Sequence, residues 1–101
     1  MRKFAIAAFI VVASASPAFA TGKVKCDVPE AKRQPVDALE ARLNAEGWTI
    51  KKIKLDGGCY EVYGTQADGK FVEAYFDPAT FETLYVSQRG KVLFRKGDNA
   101  E

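Results

Sequence analysis

Cys59-Tyr60-Glu61-Val62-Tyr63-Gly64-Thr65, then Gln66-Ala67-Asp68-Gly69, then Lys70-Phe71-Val72-Glu73-Ala74-Tyr75-Phe76 is the stretch that decides the fold. In the first run Tyr60 and Val62 fall on one side and Glu61 and Tyr63 on the other. In the second, Val72, Ala74 and Phe76 oppose Phe71, Glu73 and Tyr75. A period of two on both sides of an Asp-Gly turn predicts an antiparallel pair of strands. Asp77-Pro78 closes the second strand, because proline has no N–H for a central ladder.

Working outward, Trp48 to Leu55 is also rich in β-branched and apolar residues, but its parity breaks at Lys51-Lys52. A bulge there brings Trp48, Ile50, Ile53 and Leu55 to one face, and Asp56-Gly57-Gly58 is a hairpin signal. Downstream, Glu82 to Ser87 predicts a fourth strand with Leu84 and Val86 opposite Thr83 and Tyr85. Val92-Leu93-Phe94 predicts a short fifth, and Lys96 to Glu101 a polar tail. Before the strands, Pro35 to Glu46 reads as a helix. Pro35 suits the first turn, Val36, Leu39 and Leu43 recur at helical spacing, and Gly47 stops it. The expected class is α+β, with one helix on one face of a four- or five-stranded antiparallel sheet. Its expected core is Val36, Leu39, Leu43, Ile53, Leu55, Tyr60, Val62, Val72, Ala74, Phe76, Leu84 and Val86.

The other end of the chain is different in kind. Arg2 and Lys3, an apolar run from Phe4 to Val12, and Ala18-Phe19-Ala20 give the three parts of a secretory signal peptide. The apolar run is far shorter than the ~20 residues of a spanning helix. The expected organisation is a leader over 1–20 and a single domain over 21–101, with a core at about 26–87. The expected destination is the bacterial periplasm or the exterior, with no membrane span once the leader is removed.

Export gives the cysteines their meaning. Oxidising compartments let disulfides persist, and a domain this small buries little apolar surface. Cys26 and Cys59, the only two cysteines, are therefore expected to form one structural bridge. A redox pair ordinarily has C-x-x-C spacing, and a metal site needs further ligands.

Composition excludes much chemistry. The 101 residues contain 15 Lys and Arg against 13 Asp and Glu, and no His. Removing Arg2 and Lys3 with the leader leaves thirteen of each sign, so the mature chain is neutral and lacks the basic footprint of a nucleic-acid binder. Without His, and with Ser87 as the single serine after the leader, an acyl-transfer triad cannot be assembled. A Glu61–Glu73 pair across neighbouring strands suggests acid–base chemistry, but an open sheet face lacks the walls that tune a carboxyl. Asp68-Gly69 and Asp77-Pro78 read as turns rather than a calcium loop, which needs denser ligands. No catalytic residue, metal or cofactor is expected.

The sheet face away from the helix is the candidate site. Parity places Glu61, Tyr63, Phe71, Glu73, Tyr75 and Tyr85 there, four aromatics and two acids that one helix leaves uncovered. Such a patch marks a partner surface, unless the rings pair across strands or the Lys91–Arg95 segment folds over them. The clusters Lys51-Lys52-Lys54 and Lys91-Arg95-Lys96 suit anionic lipid or an acidic partner, but the favoured reading is that they solubilise strand edges, where lysine opposes edge-to-edge pairing.

The run Gly58-Cys59-Tyr60-Glu61-Val62-Tyr63, then Asp68-Gly69-Lys70, then Val72-Glu73-Ala74-Tyr75-Phe76-Asp77-Pro78-Ala79-Thr80 resembles the PepSY domain. Gly47-Trp48 after the helix and an early Cys before Val-Pro match as well, so the resemblance covers about Cys26 to Glu82. Phe81 departs from the pattern, since many members have glycine after this turn. Phenylalanine takes positive φ poorly, so a different turn is expected.

The resemblance implies a helix on an antiparallel sheet, outside the cytoplasm, and no catalytic motif. It also implies a role like that of metallopeptidase propeptides, which restrain the peptidase. The expected function is a non-enzymatic module that binds another protein, a peptidase or an envelope complex. The alternative is an accessory subunit of an envelope complex without inhibitory action.

Overall fold

A computed structural model describes residues 24–97, so the leader read over 1–20 lies outside the described residues. A 3₁₀ turn at Glu30–Lys32 precedes helix α1 (Val36–Ala45). Five strands follow: β1 (Thr49–Asp56), β2 (Cys59–Thr65), β3 (Phe71–Phe76), β4 (Thr83–Gln88) and β5 (Lys91–Arg95). They form one antiparallel meander in chain order, open at β1 and β5. The fold is α+β, as the alternation and the single amphipathic helix indicated.

Local chemistry sets the helix ends. Pro35 stands just outside α1, and its carbonyl accepts the Ala38 N–H at 3.0 Å. At the other end the Gly47 N–H donates to Asn44 O and the Trp48 N–H to Leu43 O, both at 3.0 Å. With Gly47 at φ 95°, this is a Schellman closure, which needs a left-handed residue at that point. It reverses the chain into β1 and brings Trp48 to the same core cluster as Leu43.

Three bulges decide which side chains face α1. Ile50 opposes Gly64 while Lys52 opposes Tyr63, so Lys51 is the extra residue, and Ile50, Ile53 and Leu55 share the helix face. This is the bulge expected from the parity break. A second falls in β4, where Tyr85 opposes Tyr75 but Thr83 opposes Phe76, making Leu84 the extra residue. A third makes Leu93 extra in β5.

The core joins Leu39 and Leu43 to Tyr60, Val62, Val72, Ala74, Phe76, Phe81 and Val86. Trp48 meets Phe76 edge-on at 6.1 Å. Three expected members are elsewhere. Leu84, displaced by its bulge, packs with Cys59, Tyr75 and Tyr85 on the other face. Leu55 is 47% exposed, because a helix of 10 residues is about 15 Å long and stops short of the end of β1, a strand of about 26 Å. Val36, the first residue of that helix, is 38% exposed.

Phe81 takes the conformation usually left to glycine. Its φ is 67°, its N–H donates to Asp77 O at 2.7 Å, and its ring is buried in the core. The turn keeps its positive φ, contrary to the expected difference. The backbone cost of about 1–2 kcal/mol is offset by ring burial of about 1.5–3 kcal/mol. Phe81→Ala retains the strain and loses the ring, whereas Phe81→Gly loses the ring and is relieved of the strain. Urea melts should therefore rank wild type above Phe81→Gly, and Phe81→Gly above Phe81→Ala by about 1 kcal/mol, the reverse of the usual Ala–Gly order.

Candidate functional site

The face opposite α1 is organised in rows across the sheet. Successive pairings join Lys54 to Glu61, Glu61 to Tyr75, Tyr75 to Tyr85 and Tyr85 to Arg95, one residue from each strand. The adjacent row runs Lys52, Tyr63, Glu73 and Ser87. Phe71 lies beyond them, opposite Thr65.

The first row is largely closed. Tyr75 is fully buried and Tyr85 nearly so. Their rings meet edge-on at 5.7 Å, a cross-strand aromatic pair. The Tyr75 hydroxyl donates to Asp56 Oδ2 at 2.7 Å, and the Arg95 guanidinium lies 4.8 Å from the Tyr85 ring centre. Val24, Cys26 and Leu84 pack against the cluster that these tyrosines form with Cys59. Cys26 is bonded to Cys59, and its N–H donates to Gly57 O at 2.9 Å, so the lead-in is stapled across this part of the face.

Of the six candidate residues, then, Tyr75, Tyr85 and Glu61 lie inside. Tyr63 and Glu73 are half-buried, and Phe71 is 46% exposed. The signal for this cover was present in the strand parity. Cys59 shares the face of Glu61 and Tyr63, so the segment bridged to it had to land there.

Glu61 is the electrostatic centre of the face. Its side chain is fully buried, neither oxygen makes a hydrogen bond of ordinary geometry, and Lys54 Nζ stands 3.7 Å away. Burial first, then the neighbouring Glu73 carboxyl, push its pKa up to about 7, against the opposing pull of Tyr63 and Lys54. The Tyr63 hydroxyl donates to Glu73 Oε2 at 3.4 Å; burial and the two carboxyls push its own pKa up. A carboxyl with a pKa near neutrality has the profile of an acid–base catalyst, but Glu61 is closed to solvent and offers no reacting surface. Among the described residues no cluster of three or more His, Cys, Asp and Glu could hold a metal.

Two parts of the face stay open: Val92, paired with Ser87 in β5, is 43% exposed, and the β1 end carries a groove. Lys51, Lys52, Tyr63 and Phe71 line a groove of about 410 Å³. Lys51 Nζ lies 5.9 Å from the Phe71 ring centre, and Lys52 and Lys54 Nζ lie 5.6 and 6.0 Å from that of Tyr63. These lysines, read from the sequence as solubilising an edge, form a cationic rim on an aromatic floor. In the second cluster Lys96 instead pairs with Glu82 at 2.9 Å. The Asp68 and Asp77 carboxylates accept the N–H groups of Lys70 and Ala79, at 2.9 and 2.7 Å, and so build turns.

The sequence matches the family model described as peptidase propeptide and YPEB domain over residues 4–86. That span takes in α1 and the strands through most of β4. No curated protein and no solved structure matches the chain. Among the described residues no helix is long and apolar enough to cross a membrane.

Proposed function

This chain belongs to the PepSY family of peptidase propeptide and YPEB domains, and from that membership we propose that it is a non-catalytic binding module that modulates a peptidase outside the cytoplasm. The family match is the observation that carries the reading, because domains of this family are propeptide- or inhibitor-like and generally non-catalytic. They are typically extracytoplasmic, and the Cys26–Cys59 bridge is compatible with that setting.

Physically, the staple and the buried tyrosine pair hold a small sheet rigid, so little ordering entropy opposes binding. A rigid face can cover a peptidase's substrate cleft without offering a bond to cut. The test is the progress curve of peptidases secreted by the source cell, with and without the purified chain. The expected result is saturable slowing of at least one of them. Unchanged rates throughout, with the chain recovered in a membrane complex, would place it as an accessory subunit instead.

A further inference from the structure

The open end of the outer face has a chemistry of its own. Lys51, Lys52 and Lys54 are all exposed, yet their ammonium groups gather within about 6 Å of two ring centres. A cation over a ring face keeps much of its water and gains only about 0.5–1 kcal/mol, so it remains available to a carboxylate. The acids of the same face are engaged inward. Glu61 is buried beside Lys54, and Glu73 accepts the Tyr63 hydroxyl.

Phe71 supplies the apolar element. The β3–β4 pairing runs from Glu73–Ser87 onward, so Phe71 projects past the end of that ladder, nearly half exposed. The groove of about 410 Å³ beside it falls in the size range of small-ligand pockets, enough for one or two side chains. The bulge puts Lys51 and Lys52 side by side at its rim, so two positive charges flank one apolar slot.

We propose that this groove takes a short acidic segment of the partner protein, its carboxylates on Lys51 and Lys52 and an aromatic or branched side chain against Phe71 and Tyr63. The assignment rests on the binding-module reading and specifies the chemistry of what is bound. Charge complementarity selects the acidic occupant, and the exposed ring selects one that also carries an apolar anchor. A nucleic acid fits poorly, because the mature chain is neutral and the cationic rim is only three lysines wide.

The test is a titration of the ¹⁵N-labelled chain with the blocked hexapeptide acetyl-Glu-Phe-Glu-Leu-Glu-Phe-amide. Its comparators are the same peptide with Gln for Glu, and phosphatidylglycerol vesicles. Amide shifts are expected to centre on Lys51, Lys52, Tyr63, Thr65 and Phe71. The Gln peptide should bind about tenfold more weakly, as should the acidic peptide to Lys51→Glu/Lys52→Glu, since two partly exposed ion pairs are lost. Binding should weaken as salt rises, and Phe71→Ser should reduce it severalfold. Lys51→Gln/Lys52→Gln serves as a second variant, and amide-shift dispersion confirms that each variant is folded.

Equal affinity for the two peptides, or shifts centred elsewhere, would overturn the assignment. So would vesicle binding through these lysines with no peptide competition, which would make the surface a lipid contact. The two readings separate cleanly. Peptidase slowing that persists in Lys51→Glu/Lys52→Glu removes the groove and leaves the module. Peptide binding with no peptidase slowed does the reverse.

Discussion

Removing the Cys26–Cys59 bridge is expected to destabilise the folded chain by roughly 3–4 kcal/mol and to uncover the tyrosine pair on the outer face. The bridged residues are 33 apart, and closing a loop of that length in the unfolded chain is worth about 3–4 kcal/mol in the chain-entropy model. For a domain of this size that is a large part of total stability. The loss has a second component. Val24 and Cys26 pack against the cluster of Cys59, Tyr75 and Tyr85, and without the bridge that cover is expected to loosen, so the Cys26→Ser/Cys59→Ser variant should also bind an apolar dye more strongly. Gly58→Ala reaches the same end without touching a thiol. Gly58 has φ 85° and an added Cβ would collide with the Cys26 carbonyl. Urea melts with and without reductant measure the first effect. A difference below about 1 kcal/mol would show that the bridge is not the staple described.

The second large effect is a pH dependence centred on Glu61. In the unfolded chain this carboxyl ionises near 4.5, and in the folded chain near 7. Between those values the native state holds a proton that the unfolded state has released, so stability falls as pH rises. The contribution is fully present below pH 4.5 and is lost as pH passes through about 7, with a span of roughly 3 kcal/mol. Lys54 from β1, Glu73 and Tyr75 from β3, and Tyr63 from β2 itself are the groups that face it. Tyr63 acts in the same direction only above pH 10. Glu61→Gln keeps the shape and removes the charge. Relative to wild type it should be nearly neutral at pH 4 and stabilising by roughly 2–3 kcal/mol at pH 8. A wild-type-minus-variant difference that does not change with pH would show that Glu61 titrates normally and is not the buried acid described.

How much of this could be read in advance depends on the kind of signal. The β2 and β3 alternation, the Gly47 stop and the Lys51 bulge are local patterns, and each was legible because a wrong parity would have put charges against the helix. The Leu84 bulge left no such mark. Leu84 and Val86 are both apolar, so moving Leu84 to the other face breaks no pattern that periodicity can see. Phe81 is a misfit only against the family pattern, in which many members have glycine at that place, whereas the space its ring fills exists only once α1 and the sheet meet. The six outer-face residues share one face by register, but Glu61, Tyr75 and Tyr85 are buried there, a cover already implied by the parity of Cys59 and its bridge to Cys26. The lysines of the β1 end could be read as edge protection, and only the bulge shows them gathered over Tyr63 and Phe71.

Binding through the β1 end of that face, rather than through the helix side, is the claim on which the account stands. It is tested most directly by peptidase progress curves at equal concentrations of wild type, Lys51→Glu/Lys52→Glu and Glu40→Lys/Arg42→Glu, the last altering exposed positions of α1. The account predicts slowing by wild type and by the helix variant, and its loss in the groove variant. Slowing that survives in the groove variant and disappears in the helix variant would contradict it.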